Sequence, residues 1–290
     1  MIWSLSFFFW GLSIFQAPAL SEQDKLQDIY KKSEQLVIDA RPQEAMALLL
    51  GLLSDEEMDS SQRQKIRALL NRISELFLNE RTQKLFEHGK SLYFQGQTQL
   101  SMDRFKEALV LEPHNLKVLV GHSRALLYLD QCGEALSQIQ KGREKNPYHE
   151  DLAVLFLMAS LCQGRGEEFM SHLEEITPLL QSPQSQLQRK SMQASWLYGQ
   201  GKFAEVFSLA QELVEGNEGF PKGHLWIWRS AQKMDEEDFA RQGGRQAGRR
   251  YISLCKGVSS RLRRTYENQT DLCRSVREVE LYFEKLERER

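Results

Sequence analysis

Cysteine is scarce in this chain: four in 290 residues, none in a CxxC pair, which leaves thiol redox catalysis and the usual zinc-ligand spacings without support. Six histidines show no HExxH spacing and none lies near a cysteine pair, so the sequence assigns no metal and no cofactor. Seven prolines and the lack of alternating Val/Ile/Thr runs argue against sheet. With 38 basic and 40 acidic residues the formal net charge is −2, and nothing pulls the whole chain toward nucleic acid. What is present in quantity is Leu, Gln, Glu, Arg and Ala, with 41% hydrophobic residues, enough for a large all-α core.

Between Thr82 and His149 the sequence repeats itself every 34 residues. Leu85 matches Leu119, Leu92 matches Leu126, Phe105 matches Ile139, Ala108 matches Gly142, and Pro113 matches Pro147. Within the period, Leu85, Phe86, Leu92, Tyr93 and Phe94 fall largely on one face of a helix that Gly96 ends. Met102, Phe105, Ala108, Leu109 and Leu111 keep helical spacing until Pro113, which cannot continue a helix. One period is therefore helix, turn, helix, stop. Gly89 and Ala108 stand where the two helices must approach closely. A unit of this kind buries its apolar face only against neighbouring copies.

Residues 82–115 resemble the tetratricopeptide repeat (TPR), through Gly89, Gly96, Phe105, Ala108 and Pro113 at the family's spacing, and residues 116–149 support it through Ala135, Gly142 and Pro147. The resemblance implies an all-α, right-handed superhelical solenoid of antiparallel helix pairs. Units fade on either side. Residues 150–181 keep Gly164 in register but carry Phe169 where Ser101 and Ala135 stand, so the packing there must differ. An insertion around Ser182 and Pro183 shifts the phase by three, after which residues 187–220 and 221–254 again stand 34 apart. Upstream, Leu26 to Glu57 reads as a divergent unit broken at Arg41 and Pro42. The expected organisation is a signal peptide over 1–19, divergent repeats over 20–81, TPR-like repeats over 82–181, divergent ones over 182–256, and a C-terminal capping helix over 257–290.

Ile2 to Phe15 is apolar and uncharged, and Ala17-Pro18-Ala19 has the small residues a signal peptidase reads. The run is shorter than the roughly 20 residues that span a bilayer. Export to a periplasm or the outside is the first reading, an uncleaved N-terminal membrane anchor the second. On the family's architecture, Cys132 begins the second helix of one unit and Cys162 ends the first helix of the next, along one turn edge; a bond there closes a loop worth ~3–4 kcal/mol. Cys255 and Cys273 are the remaining pair. The alternative is four unbonded, buried small side chains.

Gly121-His122-Ser123-Arg124-Ala125 has a superficial likeness to a hydrolase nucleophile elbow, but it lies inside a helix and in phase with Gly89, so packing explains it. Trp228, in phase with Ala194, is expected in the core; Trp226 is left open. If the pairs stack as the family does, the first helices line a concave groove. Phe86, Lys90, Tyr93, Phe94, Arg124, Tyr128, Tyr198, Arg229 and Lys233 are its candidate binding residues. This aromatic and apolar groove with scattered cations suits a peptide segment of a protein partner bearing an acidic group. Family members that hold a chaperone's terminal carboxylate use Asn where this chain has Lys90, so that function is not implied.

Eight basic residues and no acid lie between Arg241 and Arg264, a face that can meet phospholipid head groups but reads first as a solvated one balanced by Asp235 to Asp238. Leu262, Tyr266, Leu272, Val276, Val279, Phe283 and Leu286 give the last segment one apolar stripe, as a terminal cap requires. The sequence therefore points to a non-enzymatic scaffold that binds a protein segment in the cell envelope, with no nucleic acid partner. The rival readings are a cytosolic TPR co-chaperone and the regulatory subunit of an enzyme complex. Oligomeric state has no signal.

Overall fold

The computed structural model describes residues 22–54, 58–164, 166–234, 238–256 and 273–288. The leader-like segment 1–19, the basic residues Arg261, Arg263 and Arg264, and the first part of the expected C-terminal cap lie outside them. Among the described residues there are fourteen α-helices and no strand. Six form antiparallel pairs of first and second helix: α1 (Glu22–Ile38) with α2 (Pro42–Leu53), α4 (Glu80–Phe94) with α5 (Thr98–Leu111), and α6 (Leu116–Tyr128) with α7 (Cys132–Lys145). Three more pairs follow: α8 (Glu150–Cys162) with α9 (Gly166–Ile176), α10 (Pro183–Gly199) with α11 (Phe203–Gly216), and α12 (Pro221–Ala231) with α13 (Asp238–Lys256). Helices α3 (Ser60–Ser74) and α14 (Val276–Arg288) stand outside this alternation.

Four of the turns within the pairs share one backbone solution. After α4, Gly96 takes φ +77°, its N–H donates to Tyr93 O at 3.1 Å, and the Gln97 N–H donates to Leu92 O at 2.9 Å. These two bonds satisfy carbonyls that the helix end would leave bare. The same pair of bonds recurs around Ala40, Asp130 and Gly201. Ala40 and Asp130 hold the left-handed conformation with a Cβ, at φ 57° and 58°. Gly164, at φ +72°, opens the corresponding turn of the α8–α9 pair. The visible period in the sequence is in large part the period of this turn.

Each first helix from α4 to α10 touches the next first helix as well as its own partner, and among the described residues successive second helices approach one another less closely. First helices therefore form the tighter inner row. The core runs between the rows, with Phe105, Leu126, Ile139, Leu152, Leu157 and Phe169 all buried. Phe169 explains the fading of the third unit: its ring stacks on Trp196 with centroids 6.0 Å apart, and the Trp196 indole donates to Gly166 O at 2.7 Å. The phase slip is a short 3₁₀ turn, Thr177–Leu179, after which Ser182 caps α10 by accepting from the Ser185 N–H. Glu150 fastens this joint, accepting from the Gln181 and Ser182 N–H groups.

Helix α3 pairs with α2 on one side and is no half of a repeat. It starts on a capping box at Asp59 and Gln62 and lies along the edge where second helices hand over to first ones. There Arg67 stacks on Tyr148 at 4.6 Å, Asn71 accepts from Asn146 at 2.7 Å, and Glu75 meets His149 Nε2 at 3.0 Å. Helix α14 closes the other end, packing Val276, Val279, Tyr282 and Phe283 against Leu225, Trp228 and Tyr251.

Candidate functional site: the groove of the first helices

The inner row carries two adjoining depressions. One, of about 290 Å³, is lined by Lys90, Tyr93 and Phe94 of α4, by Lys117, Val120 and Arg124 of α6, and by Glu75 and Asp151. The next, of about 370 Å³, runs from Tyr93, Arg124 and Tyr128 past Val154 and Met158 to Ser195 and Lys222. Helical spacing puts these residues in one row, since positions three and four apart share a face. Tyr93 joins the two depressions, with its ring edge against Phe94 at 6.1 Å and against Tyr128 at 5.9 Å.

The structure places the nine candidate binding residues unequally. Tyr93, Phe94 and Tyr128 are half-buried on the groove wall, and Lys90 lies beside them, 4.0 Å from Glu87. Phe86 lines the smaller depression from its floor: it is 6% exposed, between Phe77 and Phe105 with ring centroids 5.4 and 5.7 Å away. Its position in the helical wheel faces the groove, and the α3–α4 connection packs Phe77 against it. Tyr198 packs on Phe203 and Trp226, at 5.2 and 5.7 Å, as part of the core of its own unit. Trp226 is itself buried and donates to Ser191 Oγ at 3.1 Å. Lys233 is exposed past the end of α12.

The two arginines expected to wait for an acidic ligand already have one. Arg124 Nη2 donates to Asp151 Oδ1 at 2.7 Å, with the arginine side chain 14% exposed. Burial pushes the Asp151 carboxyl up, and Arg124, His149 and Lys117 outweigh it, so the group sits below its usual range. Arg229 bonds to Ser275 and Glu278 of the C-terminal segment. Sequence reasoning saw first-helix cations and could not see that the acids answering them lie 27 and 49 positions away.

It also missed what crosses the groove. Cys273 lies against the buried pair Leu213 and Phe220, and Arg274 reaches from there to the Tyr128 ring at 5.3 Å and to Asp130 at 3.7 Å. The two cysteine pairs are joined as disulfides, Cys132 to Cys162 and Cys255 to Cys273, with Cα separations of 5.7 and 5.6 Å. The first ties the start of α7 to the end of α8, and the second anchors the crossing segment to α13. The basic face of α13 is partly spoken for: Arg249 stacks on Phe283 at 5.5 Å, and Lys256 pairs with Glu280 at 2.7 Å. Among the described residues, no three His, Cys, Asp or Glu side chains gather as metal ligands would.

No protein-family model matches the chain, and no curated protein matches it. Solved structures do. A thermophilic TPR protein of Thermus thermophilus, TTC0263, superposes with a TM-score of 0.50 at 13% identity over 69% of this chain and 99% of its own. A tetratricopeptide repeat protein of Parabacteroides merdae gives 0.50 at 13% identity, over 83% and 96%. This chain has the tetratricopeptide-repeat fold. At 13% identity the likeness carries the architecture alone, and the TPR groove of this chain has to be argued from its own residues.

Proposed function

We propose that the protein is an exported TPR scaffold that binds a segment of a protein partner in the groove between α4 and α8. The observation that supports this most is the half-buried aromatic wall of Tyr93, Phe94 and Tyr128 beside an apolar floor of Val154 and Met158, with Arg274 over the Tyr128 ring at one end. Aromatic side chains on a rigid support give a large contact area at little ordering cost, which suits a short extended or helical segment. The anchoring chemistry of that segment is apolar or aromatic, because Asp151 already holds Arg124 and Asp130 already pairs with Arg274. Two disulfides and the apolar N-terminal run of the sequence support an oxidising, extracytoplasmic setting.

A photo-crosslinking residue at Tyr93 should capture one partner from envelope extracts of the native cells, and the same residue at Val110, exposed on a second helix, should not. Tyr93→Ala with Phe94→Ala should abolish that capture while helicity stays unchanged. Equal crosslinking from Val110 would move the binding face to the outer row. Mass spectrometry of the native protein checks export: cleavage predicts a start at or near Leu20, and a soluble protein beginning at Met1 would contradict it.

A further inference from the structure

The C-terminal segment sits on the last repeat as a bound peptide sits on a receptor. Arg229 Nη2 donates to Ser275 Oγ at 2.9 Å and also to the Glu278 carboxylate, while Glu280 pairs with Lys256. Val276, Val279, Tyr282 and Phe283, on one face of α14, lie over Leu225, Trp228 and Tyr251. The Trp228 and Tyr282 rings meet edge on at 5.5 Å. Gly248 of α13 leaves the space: a Cβ there would come within 2.7 Å of Trp228 and 3.0 Å of Phe283. This is the helix-in-groove arrangement, apolar anchors along one face and a charge pair setting the register, with both members in one chain.

We propose that the α12–α13 pair is a receptor surface for an amphipathic helix, that α14 is its resident occupant, and that the Cys255–Cys273 disulfide holds the occupant in place. A partner helix able to replace it carries the same pattern: a carboxylate as at Glu278 and an apolar stripe as at Val276, Val279 and Phe283. Release needs a dithiol reductant. It delivers two electrons and two protons, converts the bond to two thiols, and is itself oxidised to a disulfide. Leu225, Trp228 and Tyr251, which carry this surface, do not line the α4–α8 groove, which meets the C-terminal segment through Arg274, so the inference stands whether or not that groove binds a peptide.

Two features make the occupancy measurable. A detached α14 has 13 residues, too few to stay helical alone in water, so its backbone amides report its release. Cutting the 18-residue link removes a tether worth roughly a hundredfold in the closed-to-open ratio. In the full-length Cys255→Ser/Cys273→Ser variant, with the Cys132–Cys162 bond intact, hydrogen exchange over residues 276–288 should therefore accelerate about 100-fold, and that of α4 to α7 should not change. A fluorescent synthetic peptide of residues 274–288 should then bind this variant and not the oxidised wild type. The same peptide with Glu278→Lys should bind at least tenfold more weakly. Unchanged exchange over 276–288 would overturn the latch, and peptide binding indifferent to the bond or to Glu278 would overturn the receptor surface. A scaffold that fails these tests but still crosslinks through Tyr93 keeps its proposed function and loses only this second site.

Discussion

The first good repeat, α4–α5, and the last, α12–α13, fill the same interior with the volumes exchanged. Counting through the three-residue slip, Gly89, Ser123, Leu157, Ala194 and Trp228 share one position on the first helices. Phe105, Ile139, Leu173, Ala210 and Gly244 share one on the second. At α4 the first helix is bare and the second supplies the bulk: a Cβ on Gly89 would lie 2.9 Å from the Phe105 ring. At α12 the first helix supplies Trp228, while α13 is bare at Gly244 and Gly248. The sum is kept, as close packing demands. Bulk on the second helix fills the first interior from Phe105, whereas bulk on the first helix sets the Trp228 ring against Gly248 of α13, where α14 covers it.

The largest effect should come from emptying either solution. Phe105→Ala and Trp228→Ala each remove a buried aromatic and should cost about 3–5 kcal/mol in urea denaturation. The two regions then part company. Phe105→Ala should leave exchange over residues 276–288 as it was relative to the rest of the array, and Trp228→Ala should raise it. If Trp228→Ala costs less than about 1 kcal/mol, the tryptophan belongs to the covering helix more than to the repeat.

Two buried histidines set the regions apart again. His224 in α12 bonds through Nε2 to Glu218 O at 2.8 Å, and its pKa is lowered by burial, with that bond partly restoring it. His122 in α6 is 2% exposed with no hydrogen-bond partner for either ring nitrogen, and burial, with Lys106 nearby, lowers its pKa to about 4. The unfolded chain takes up this proton near pH 6.5 and the folded one only near 4. The unfolded state therefore binds more protons between those values, and stability falls as pH drops through that window, by up to about 3 kcal/mol at pH 4. His122→Leu should flatten this acid limb and raise stability at pH 5 more than at pH 7. A limb unchanged in His122→Leu would place the titration elsewhere.

The contrast also shows how much could be read beforehand. The pairs were legible because a turn that needs a left-handed residue repeats at a fixed place, and because Phe105, Ala108 and Pro113 keep its phase. The groove was legible as a face, since helical spacing fixes which side chains share it. Its contents were not. Asp151, Glu278 and Arg274 arrive from other turns of the superhelix, and Phe86 is nearly buried at the groove floor because Phe77, in a non-repeating segment, packs against it. Helix α3 was hidden for the same reason: its partners Asn146 and His149 are about 75 positions away, beyond any local pattern.

The smallest effect tests the turns themselves, at the N-terminal pair and in the middle of the array. Ala40 and Asp130 carry out, with a side chain, what Gly96, Gly164 and Gly201 do without one. The left-handed conformation costs an L-residue about 1 kcal/mol more than glycine, while glycine loses more freedom on folding, so the gain from replacement is a fraction of that. Ala40→Gly should raise stability by about 0.5 kcal/mol, because the alanine methyl brings no compensating bond. Asp130→Gly should gain less or nothing. It removes the ion pair with Arg274 that ties the crossing segment to α6, an exposed pair 3.7 Å apart and worth at most about 1 kcal/mol. Thermal unfolding of the two single variants side by side reads the difference. Equal gains would mean that Arg274 draws nothing from Asp130, and that the crossing segment is held at its far end alone, by the disulfide and by Arg229.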